Sequence, residues 1–306
     1  SDAEVTQDVH PAEREKRKAN QALPSLEAFT RTLDDPDAGV RRAAMKSLQH
    51  VLEAMCDYDM NAEQSAEVTK IVPVVLSSVQ KNVDEGDSDQ VSAAMEAMEV
   101  LVLTSHKSIT RYFASLVDAL AYVMVAPNLS LSTRKAAAET LNSITYVNAD
   151  NIVSGGHMQR LLEPLLKLSC DVMEAGGFEE CGEDVFWSVY SQLTTCLPSE
   201  QGLDLLLPYI ISMVQRPEAH VRATGLQIVS LMLEGAVELG EKDEKVREVL
   251  AIYKMIMDTC KEYPKLINDP DLYVSEAAIK VSYEILRMLR QIEAKHMLSK
   301  KDNSAQ

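Results

Sequence analysis

The sequence predicts an all-α fold, a right-handed superhelix of about six helical hairpins, and two observations support it. First, the composition suits helices: only 11 Gly and 11 Pro occur in 306 residues, while Leu, Ala, Met and Glu are abundant. Second, one motif, a proline and an acidic residue followed by valine and small residues, occurs three times. The copies are LDDPDAGVRRAA (33–44), QRPEAHVRATGL (215–226) and NDPDLYVSEAA (268–278). Such recurrence indicates an array of similar units.

The valine of this motif begins an amphipathic helix, which is the second helix of each unit. Val40 is followed at +3, +4 and +8 by Ala43, Ala44 and Leu48, the spacing of one apolar helix face. The small residues allow a neighbouring helix to approach closely. The equivalent positions are Val91, Thr133, Val185, Val221 and Val274. Second helices are therefore predicted at 37–56, 88–105, 131–147, 183–197, 218–238 and 271–295.

An apolar first helix precedes each of these and completes the hairpin. First helices are predicted at 21–33, 63–81, 108–125, 158–174, 202–215 and 244–261. Four of them contain a proline, which removes a backbone hydrogen bond and bends a helix. These prolines are Pro24, Pro73, Pro164 and Pro208. The proline–acid step supplies the turn, and an aspartate such as Asp37 or Asp271 is expected to cap the second helix.

The sequence also predicts how the chain is organised. Residues 21–295 are expected to form one continuous array, and the polar residues 1–20 and the tail 296–306 are expected to be flexible. Two acidic segments, 82–90 (NVDEGDSDQ) and 174–184 (EAGGFEECGED), are predicted to enlarge the turns of the second and fourth units. They are either solvated loops or contacts for Lys/Arg-rich partner surfaces. The first residue is Ser and the opening is polar, so we expect a segment of a longer protein.

The net charge of −17 and the pI near 4.8 favour basic partners. We expect no direct binding to nucleic acid or to membranes, since both are anionic; acidity that serves only solubility is the alternative. The longest apolar run, 205–214, contains Pro208 and Tyr209 and falls short of the ~20 residues that span a bilayer. The five cysteines show no pairing pattern, which indicates a reducing compartment.

The sequence gives no indication of an enzyme. It lacks GxxxxGK[ST], GxGxxG, HExxH and GxSxG motifs, and its six histidines are dispersed. We therefore predict a protein without catalytic residues, cofactor or metal.

The candidate partner-binding residues lie on the second helices. Positions +5, +6, +9 and +13 from each anchor point away from the apolar face, and an aromatic side chain beside carboxylates there would suit a lysine or arginine stem. In the fourth unit Trp187 at +2 and Tyr190 at +5 from Val185 are predicted to lie off the core face, three residues apart. The alternative is a register shifted by one residue, which places Tyr190 in the core with Phe186, Val189 and Leu193. We predict that Glu96, Glu139, Trp187 and Glu234 line one continuous face. The full candidate set is Glu53, Glu96, Glu139, Asn142, Trp187, Tyr190 and Glu234.

These hairpins resemble the HEAT repeat, whose second helix opens with Asp, then Val-Arg, then small residues. Asp35, Val40, Arg41 and Ala44 match that pattern. The arginine position is kept at Arg134 and Arg222 but not at Ser92, Phe186 and Ser275. In HEAT proteins the Asp and Arg form a ladder between adjacent repeats, so the resemblance implies a ladder that is interrupted here.

The stretch from about 70 to 295 further resembles the importin-β (karyopherin-β) superfamily of nuclear transport receptors. The segments that carry this resemblance are ALPSLEAFTRTLDDPDAGVRRAAMKSL (22–48), RKAAAETLNSI (134–144), HMQRLLEPLLKLSCDVME (157–174) and LLLPYIISMVQRPEAHVRATGLQIVSLMLEG (205–235). The resemblance implies a receptor fragment whose second helices bind basic cargo or nuclear localisation signals. It further implies release by Ran-GTP, docking of Phe-Gly nucleoporins, and a place in both cytoplasm and nucleus. The alternative is another kind of HEAT scaffold, such as a phosphatase regulatory subunit or an assembly factor.

Overall fold

The structure, a computed structural model, describes residues 26–56, 60–154, 156–176, 189–190, 200–243, 254 and 263–304. All regular structure within these ranges is helical, which confirms the predicted all-α class. The chain divides into two compact units, Ser1–Ser115 and Leu116–Gln306, and each is described by itself.

The first unit contains two hairpins. Its elements are α1 (Glu27–Thr32), α2 (Ala38–Met55), α3 (Ala62–Val68), a 3₁₀ turn (Thr69–Ile71), α4 (Val72–Glu85), α5 (Ser88–Ser105) and a 3₁₀ segment (His106–Tyr112). The second helices α2 and α5 pack against each other, and α4 packs on α5. The Sγ atom of Cys56 lies 3.0 Å from the Oγ1 atom of Thr104 and joins the ends of α2 and α5. The predicted helices 37–56 and 88–105 are confirmed.

The second unit continues the same pattern. Its elements are α6 (Phe113–Val125, which begins in the first unit), α7 (Leu131–Ser154), α8 (Met158–Ala175), α9 (Glu200–Val214), α10 (Ala219–Asp243), α11 (Tyr263–Leu266) and α12 (Leu272–Ser304). α9 packs on α10, and α10 packs on α12. Of the predicted helix 183–197, only residues 189 and 190 are among the described residues. Of the predicted helix 244–261, only residue 254 is. α12 runs to Ser304, so the predicted helix end at 295 is wrong.

Aspartates cap the second helices as predicted. The Asp37 carboxylate accepts hydrogen bonds from the backbone N–H groups of Gly39 and Val40 at 2.7 and 3.2 Å. The Asp271 carboxylate accepts one from the Val274 N–H at 3.2 Å. Each cap satisfies donors that the first turn of a helix leaves unpaired, and its charge suits the positive end of the helix dipole.

The prolines of the first helices behave in two ways. Pro164 and Pro208 lie inside α8 and α9, as predicted. Pro73 instead stands at the start of α4, after a 3₁₀ turn that separates α3 from α4. The predicted continuous helix 63–81 is therefore wrong, because proline lacks the N–H group that would continue the backbone bonding of α3. Pro24 lies outside the described residues.

The acidic segment 82–90 is not an enlarged turn. Residues 82–85 end α4, residues 88–90 begin α5, and only Gly86 and Asp87 connect the two helices. Gly86 adopts φ 72°, the left-handed conformation that lets a helix end abruptly. Of the second acidic segment, residues 177–184 lie outside the described residues.

The segment Lys107–Val125 is long and apolar enough to cross a membrane, judged by length and composition. Most of its large apolar side chains, however, are buried: Ile109, Phe113 and Leu120 are at most 2% exposed, whereas Tyr122 is 38% exposed. Burial of this kind is typical of a core helix in a folded domain.

The small residues of the repeat motif permit close packing, as predicted. A Cβ atom added at Gly225 would lie 3.1 Å from the Met213 Cβ and 3.2 Å from a Val214 methyl group. The backbones of α9 and α10 therefore approach each other at a point where only glycine fits without displacement.

Candidate functional site

On three second helices the residue directly after the anchor, at +1, is an arginine whose side chain contacts the next repeat. The Arg41 side chain is 2% exposed and donates hydrogen bonds to the carbonyl oxygens of Asp35 and Pro36 at 3.0 and 3.1 Å. It also pairs with the carboxylate of Glu85 at the end of α4. One side chain therefore closes its own turn and joins two hairpins.

Arg222 repeats this arrangement in the second unit. Its Nη1 atom donates to the carbonyl oxygens of Arg216 and Pro217 at 3.0 and 2.6 Å, and its Nε and Nη2 atoms donate to the Asp269 carboxylate. Burial, the largest contribution, acts to raise the pKa of Asp269. The hydrogen bond from the Asp271 N–H and the Arg222 guanidinium together outweigh it and hold that pKa below its usual value.

Arg134 is the third member. Its Nε atom donates to the Met124 carbonyl oxygen at 2.7 Å, and its guanidinium pairs with the carboxylate of Asp171 on α8. We call these three contacts the ladder; one rung lies in the first unit and two lie in the second, and the arginine is absent at Ser92 and Ser275. Only Asp269 holds the sequence position equivalent to Asp35, five residues before its anchor. The other rungs use carboxylates elsewhere on the first helices.

Two further contacts accompany the ladder in the first unit. Arg42 pairs with Asp87 at 3.3 Å, and the buried Gln90 amide donates to the Ala38 carbonyl oxygen at 2.9 Å. The acidic residues Glu85 and Asp87 of the segment 82–90 are thus bound by the protein's own arginines. At Ser275, where the arginine is absent, the hydroxyl donates within its own turn to the Leu272 carbonyl oxygen.

The predicted acidic candidates in the first unit are at the surface. Glu53 and Glu96 are both exposed, on α2 and α5. The Glu53 carboxylate accepts a hydrogen bond from the Gln49 amide at 3.1 Å and lies 3.3 Å from the Nδ1 atom of His50. Both carboxylates are accessible to a partner.

The candidates in the second unit are less uniform. Glu139 is exposed on α7, whereas Asn142 and Glu234 are half-buried. Glu96 lies in the first unit and Glu139 in the second. That the carboxylates share one continuous face therefore stays a prediction.

Tyr190 is not a surface residue. It is fully buried, and its hydroxyl lies 2.9 Å from that of Ser169. Burial raises the pKa of the Tyr190 phenol. The interpretation of Tyr190 as an exposed aromatic is therefore wrong, and the alternative register that places it in the core with Val189 is correct. Trp187 lies outside the described residues.

Glu284 is a feature that the sequence analysis missed. Its side chain is 3% exposed on α12 and accepts a hydrogen bond from Arg287 at 2.9 Å. Burial raises the pKa of Glu284, the Arg287 charge opposes that rise, and the Glu234 carboxylate adds to it. The helical period that places Val274 and Val281 in the core places position 284 there as well. The sequence pattern could therefore have indicated that Glu284 is buried.

The described residues present no grouping suited to metal chemistry. Within the described ranges, no three His, Cys, Asp or Glu side chains converge on one point. The thiols of Cys56 and Cys170 are free, and burial, as the largest cause, raises the pKa of Cys170. The ion pairs of Arg41, Arg134 and Arg222 join successive repeats, whereas those of Glu53 and Glu284 lie within one helix.

The fold is similar to that of Kap121p. The crystal structures of Kap121p bound to Nup53p and of Kap121p bound to RanGTP match this chain with TM-scores of 0.66 and 0.65, at 19% and 17% sequence identity. Each match covers 84% of this chain and 25% of Kap121p, so the chain spans about a quarter of that protein's length. At this identity the likeness shows the fold alone, and it confirms the HEAT-type helical array.

Sequence comparisons identify the family. No curated protein sequence matches the chain. The sequence profile of the family described as interferon-related developmental regulator (IFRD) matches residues 3–304, nearly the whole length. The likeness to Kap121p confirms the predicted resemblance to karyopherins as a resemblance of fold alone. The chain belongs to the interferon-related developmental regulator family.

Proposed function

We propose that this chain is a non-enzymatic HEAT-repeat scaffold that binds a basic segment of a protein partner through outward carboxylates of its second helices. The observation that carries the proposal is the exposure of Glu53, Glu96 and Glu139 on three second helices of a chain with net charge −17. Exposed carboxylates on a strongly acidic chain accelerate association with basic partners and favour them over acidic ones.

The ladder arginines strengthen this argument. Arg41, Arg134 and Arg222 have side chains only 2%, 10% and 15% exposed. Each is paired inside the array and is therefore not available on the surface to offset the outward carboxylates. The arrangement favours a partner that brings its own positive charge.

A nuclear transport receptor is a more specific candidate for the same scaffold. Its support is the fold likeness to Kap121p, which has been crystallised bound to Nup53p and to RanGTP. In this version the partner is a basic cargo or nuclear localisation signal, Ran-GTP releases it, nucleoporins bind elsewhere on the array, and the protein moves between cytoplasm and nucleus. Membership of the interferon-related developmental regulator family fits a scaffold of another kind equally well.

A pair of charge-reversal variants tests the proposal. Glu96→Lys combined with Glu139→Lys alters the outward positions of two second helices. Glu63→Lys combined with Glu163→Lys makes the same change of charge at exposed positions of the first helices α3 and α8. Binding of a fluorescent Lys/Arg-rich localisation peptide to each variant is measured by anisotropy at physiological salt. We expect the first pair to weaken binding about tenfold, or 1.4 kcal/mol, and the control pair to weaken it much less.

The outcomes separate the alternatives. Equal weakening by both pairs means that only net charge matters and contradicts a site on the second helices. Addition of Ran loaded with a non-hydrolysable GTP analogue then distinguishes the two scaffolds. Release of the peptide supports a transport receptor, and retention supports a scaffold of another kind.

A further inference from the structure

Tyr146 places an aromatic ring in solvent on the outward face of α7. Its side chain is 79% exposed, the highest value among the large apolar side chains of the described residues. It stands at +13 from the anchor Thr133, which is one of the outward positions of a second helix. An exposed aromatic residue was predicted at Tyr190, which is buried; Tyr146 takes that role on α7.

The same face of α7 carries a carboxylate and an amide. Glu139 at +6 is exposed, and Asn142 at +9 is half-buried. At 3.6 residues per turn, these two positions and that of Tyr146 fall within about 60° of one another around the helix axis. Helical side chains lean toward the N-terminus, which brings the Tyr146 ring toward Asn142, one turn before it. A ring, an amide oxygen and a carboxylate therefore follow one another along one line of the helix.

Other tyrosines of this chain show what such a ring binds. The Arg111 guanidinium lies over the Tyr112 ring, 5.0 Å from its centroid. The Arg287 guanidinium lies over the Tyr283 ring at 6.0 Å. A guanidinium is planar and weakly hydrated, so it stacks on an aromatic face more readily than a lysine ammonium group does.

Local charge favours a cation at the Tyr146 ring. Residues 136–215 contain eleven Asp or Glu and only two Lys or Arg, a net charge of −9 out of −17 for the whole chain. Of those two bases, Arg160 pairs with Asp118. On α7 itself the nearest lysine or arginine is Lys135, about three turns away. A cation from a partner would therefore enter a region of strongly negative charge.

We propose that Tyr146 binds an arginine side chain of the basic partner, with the guanidinium stacked on the ring and its N–H groups directed to the Asn142 amide oxygen and the Glu139 carboxylate. This inference rests on the proposed function and adds the class of side chain that the site selects. Charge alone would not distinguish arginine from lysine, because each carries one positive charge. The stacked contact distinguishes them.

Two peptides of equal charge test the proposal. One is rich in arginine, and in the other every arginine is replaced by lysine. Binding of each peptide to the full chain is measured by fluorescence anisotropy at physiological salt. We expect the arginine peptide to bind about fivefold more tightly, which corresponds to one cation–π contact of about 1 kcal/mol.

Variants locate the contact. Tyr146→Leu keeps an apolar side chain but removes the ring, so it is expected to weaken binding of the arginine peptide about fivefold and to abolish the preference over lysine. Tyr146→Phe keeps the ring and should retain the preference. The matched control is Tyr209→Leu, which makes the same change at a 43% exposed position of the first helix α9, within the same acidic stretch, and should leave binding unchanged. Far-UV circular dichroism verifies that each variant is folded.

Equal affinity of the wild type for both peptides, or a preference that persists in Tyr146→Leu, would overturn the proposal. A wild-type dimer in light scattering that Tyr146→Leu abolishes would assign the ring to a second copy of this chain. The charge-reversal variant Glu96→Lys with Glu139→Lys separates this inference from the proposed function. If that variant weakens binding and Tyr146→Leu does not, the proposed function stands and the contact at Tyr146 is refuted. If neither weakens binding, both are refuted.

Discussion

The guanidinium group of Arg222 donates two hydrogen bonds to the carboxylate of Asp269, from Nε at 3.2 Å and from Nη2 at 3.0 Å. The two residues belong to successive repeats, and both side chains are largely buried. Such two-point pairing is stronger than a single neutral hydrogen bond, and loss of one partner leaves a charge without compensation.

Replacement of Asp269 by Asn is expected to destabilise the second unit by about 2 kcal/mol at pH 7, because Arg222 loses its counter-charge. The pKa of Asp269 is lowered in the folded state, so the ionised carboxylate adds stability above its unfolded pKa. That stability is lost as the pH falls through the lower folded value. The loss in the free energy of unfolding relative to wild type should therefore be largest at pH 7. It should shrink below about pH 4, near the unfolded pKa of Asp. Urea unfolding at pH 7 and at a pH below about 4 measures the difference in the free energy of unfolding between the two proteins.

The control for this variant is Glu218→Gln. Glu218 and Arg216 form an exposed pair at 3.9 Å in the same turn, and such pairs contribute about 0–1 kcal/mol. A loss of stability in Glu218→Gln equal to that in Asp269→Asn would contradict a special role for the ladder.

Arg41→Lys is expected to destabilise the first unit by about 2 kcal/mol although the charge is kept. A lysine ammonium group cannot span two carbonyl oxygens and a carboxylate in the way that the planar guanidinium does. Arg42→Lys is the matched control, since the neighbouring Arg42 makes one exposed contact with Asp87. Thermal unfolding of both variants tests this, and equal losses would refute it.

Glu284→Gln is expected to gain stability relative to wild type as the pH rises. The pKa of Glu284 is raised in the folded state, so the folded protein retains a proton that the unfolded chain has released. Stability of the wild type therefore falls as the pH rises above the ordinary glutamate value. Glutamine keeps an acceptor for Arg287 and does not titrate. Denaturation at pH 5 and pH 8 should show the variant relatively more stable at pH 8, and the reverse order contradicts the prediction.

Gly225→Ala is expected to destabilise the protein by about 1 kcal/mol, because overpacking costs about 1–3 kcal/mol and exceeds the gain in helix propensity. The nearest atom is the Met213 Cβ, which is attached to the backbone of α9 and moves only with it. Gly225→Val should cost more. Calorimetry of the series checks the trend, and an alanine variant more stable than wild type would show that the two helices can separate.

The second helices could be predicted from sequence because their signals are local. An aspartate cap and a valine at the start of an apolar period determine where a helix begins, and α5 coincides with the predicted 88–105. The break before Pro73 could not be foreseen as easily, since a proline is compatible with a bent helix as well as with a new helix start.

The contacts between repeats were only partly predictable. The sequence identified Arg41, Arg134 and Arg222, but it could not identify Glu85 and Asp171 as their partners. Those carboxylates are brought into reach by tertiary packing. Tyr190 illustrates the same limit, because a shift of one residue in register separates a core residue from a surface residue.

The ladder also orders events in time when the chain is made. Arg41, Arg134 and Arg222 meet their carboxylates 44, 37 and 47 residues further along the chain. At about 5–20 residues per second, each arginine leaves the ribosome several seconds before its partner does. During that interval its own-turn carbonyl groups are its only ladder contacts, and the newest hairpin presents an uncompensated cation. Each of these three repeats is therefore completed only when the repeat that follows it has been synthesised.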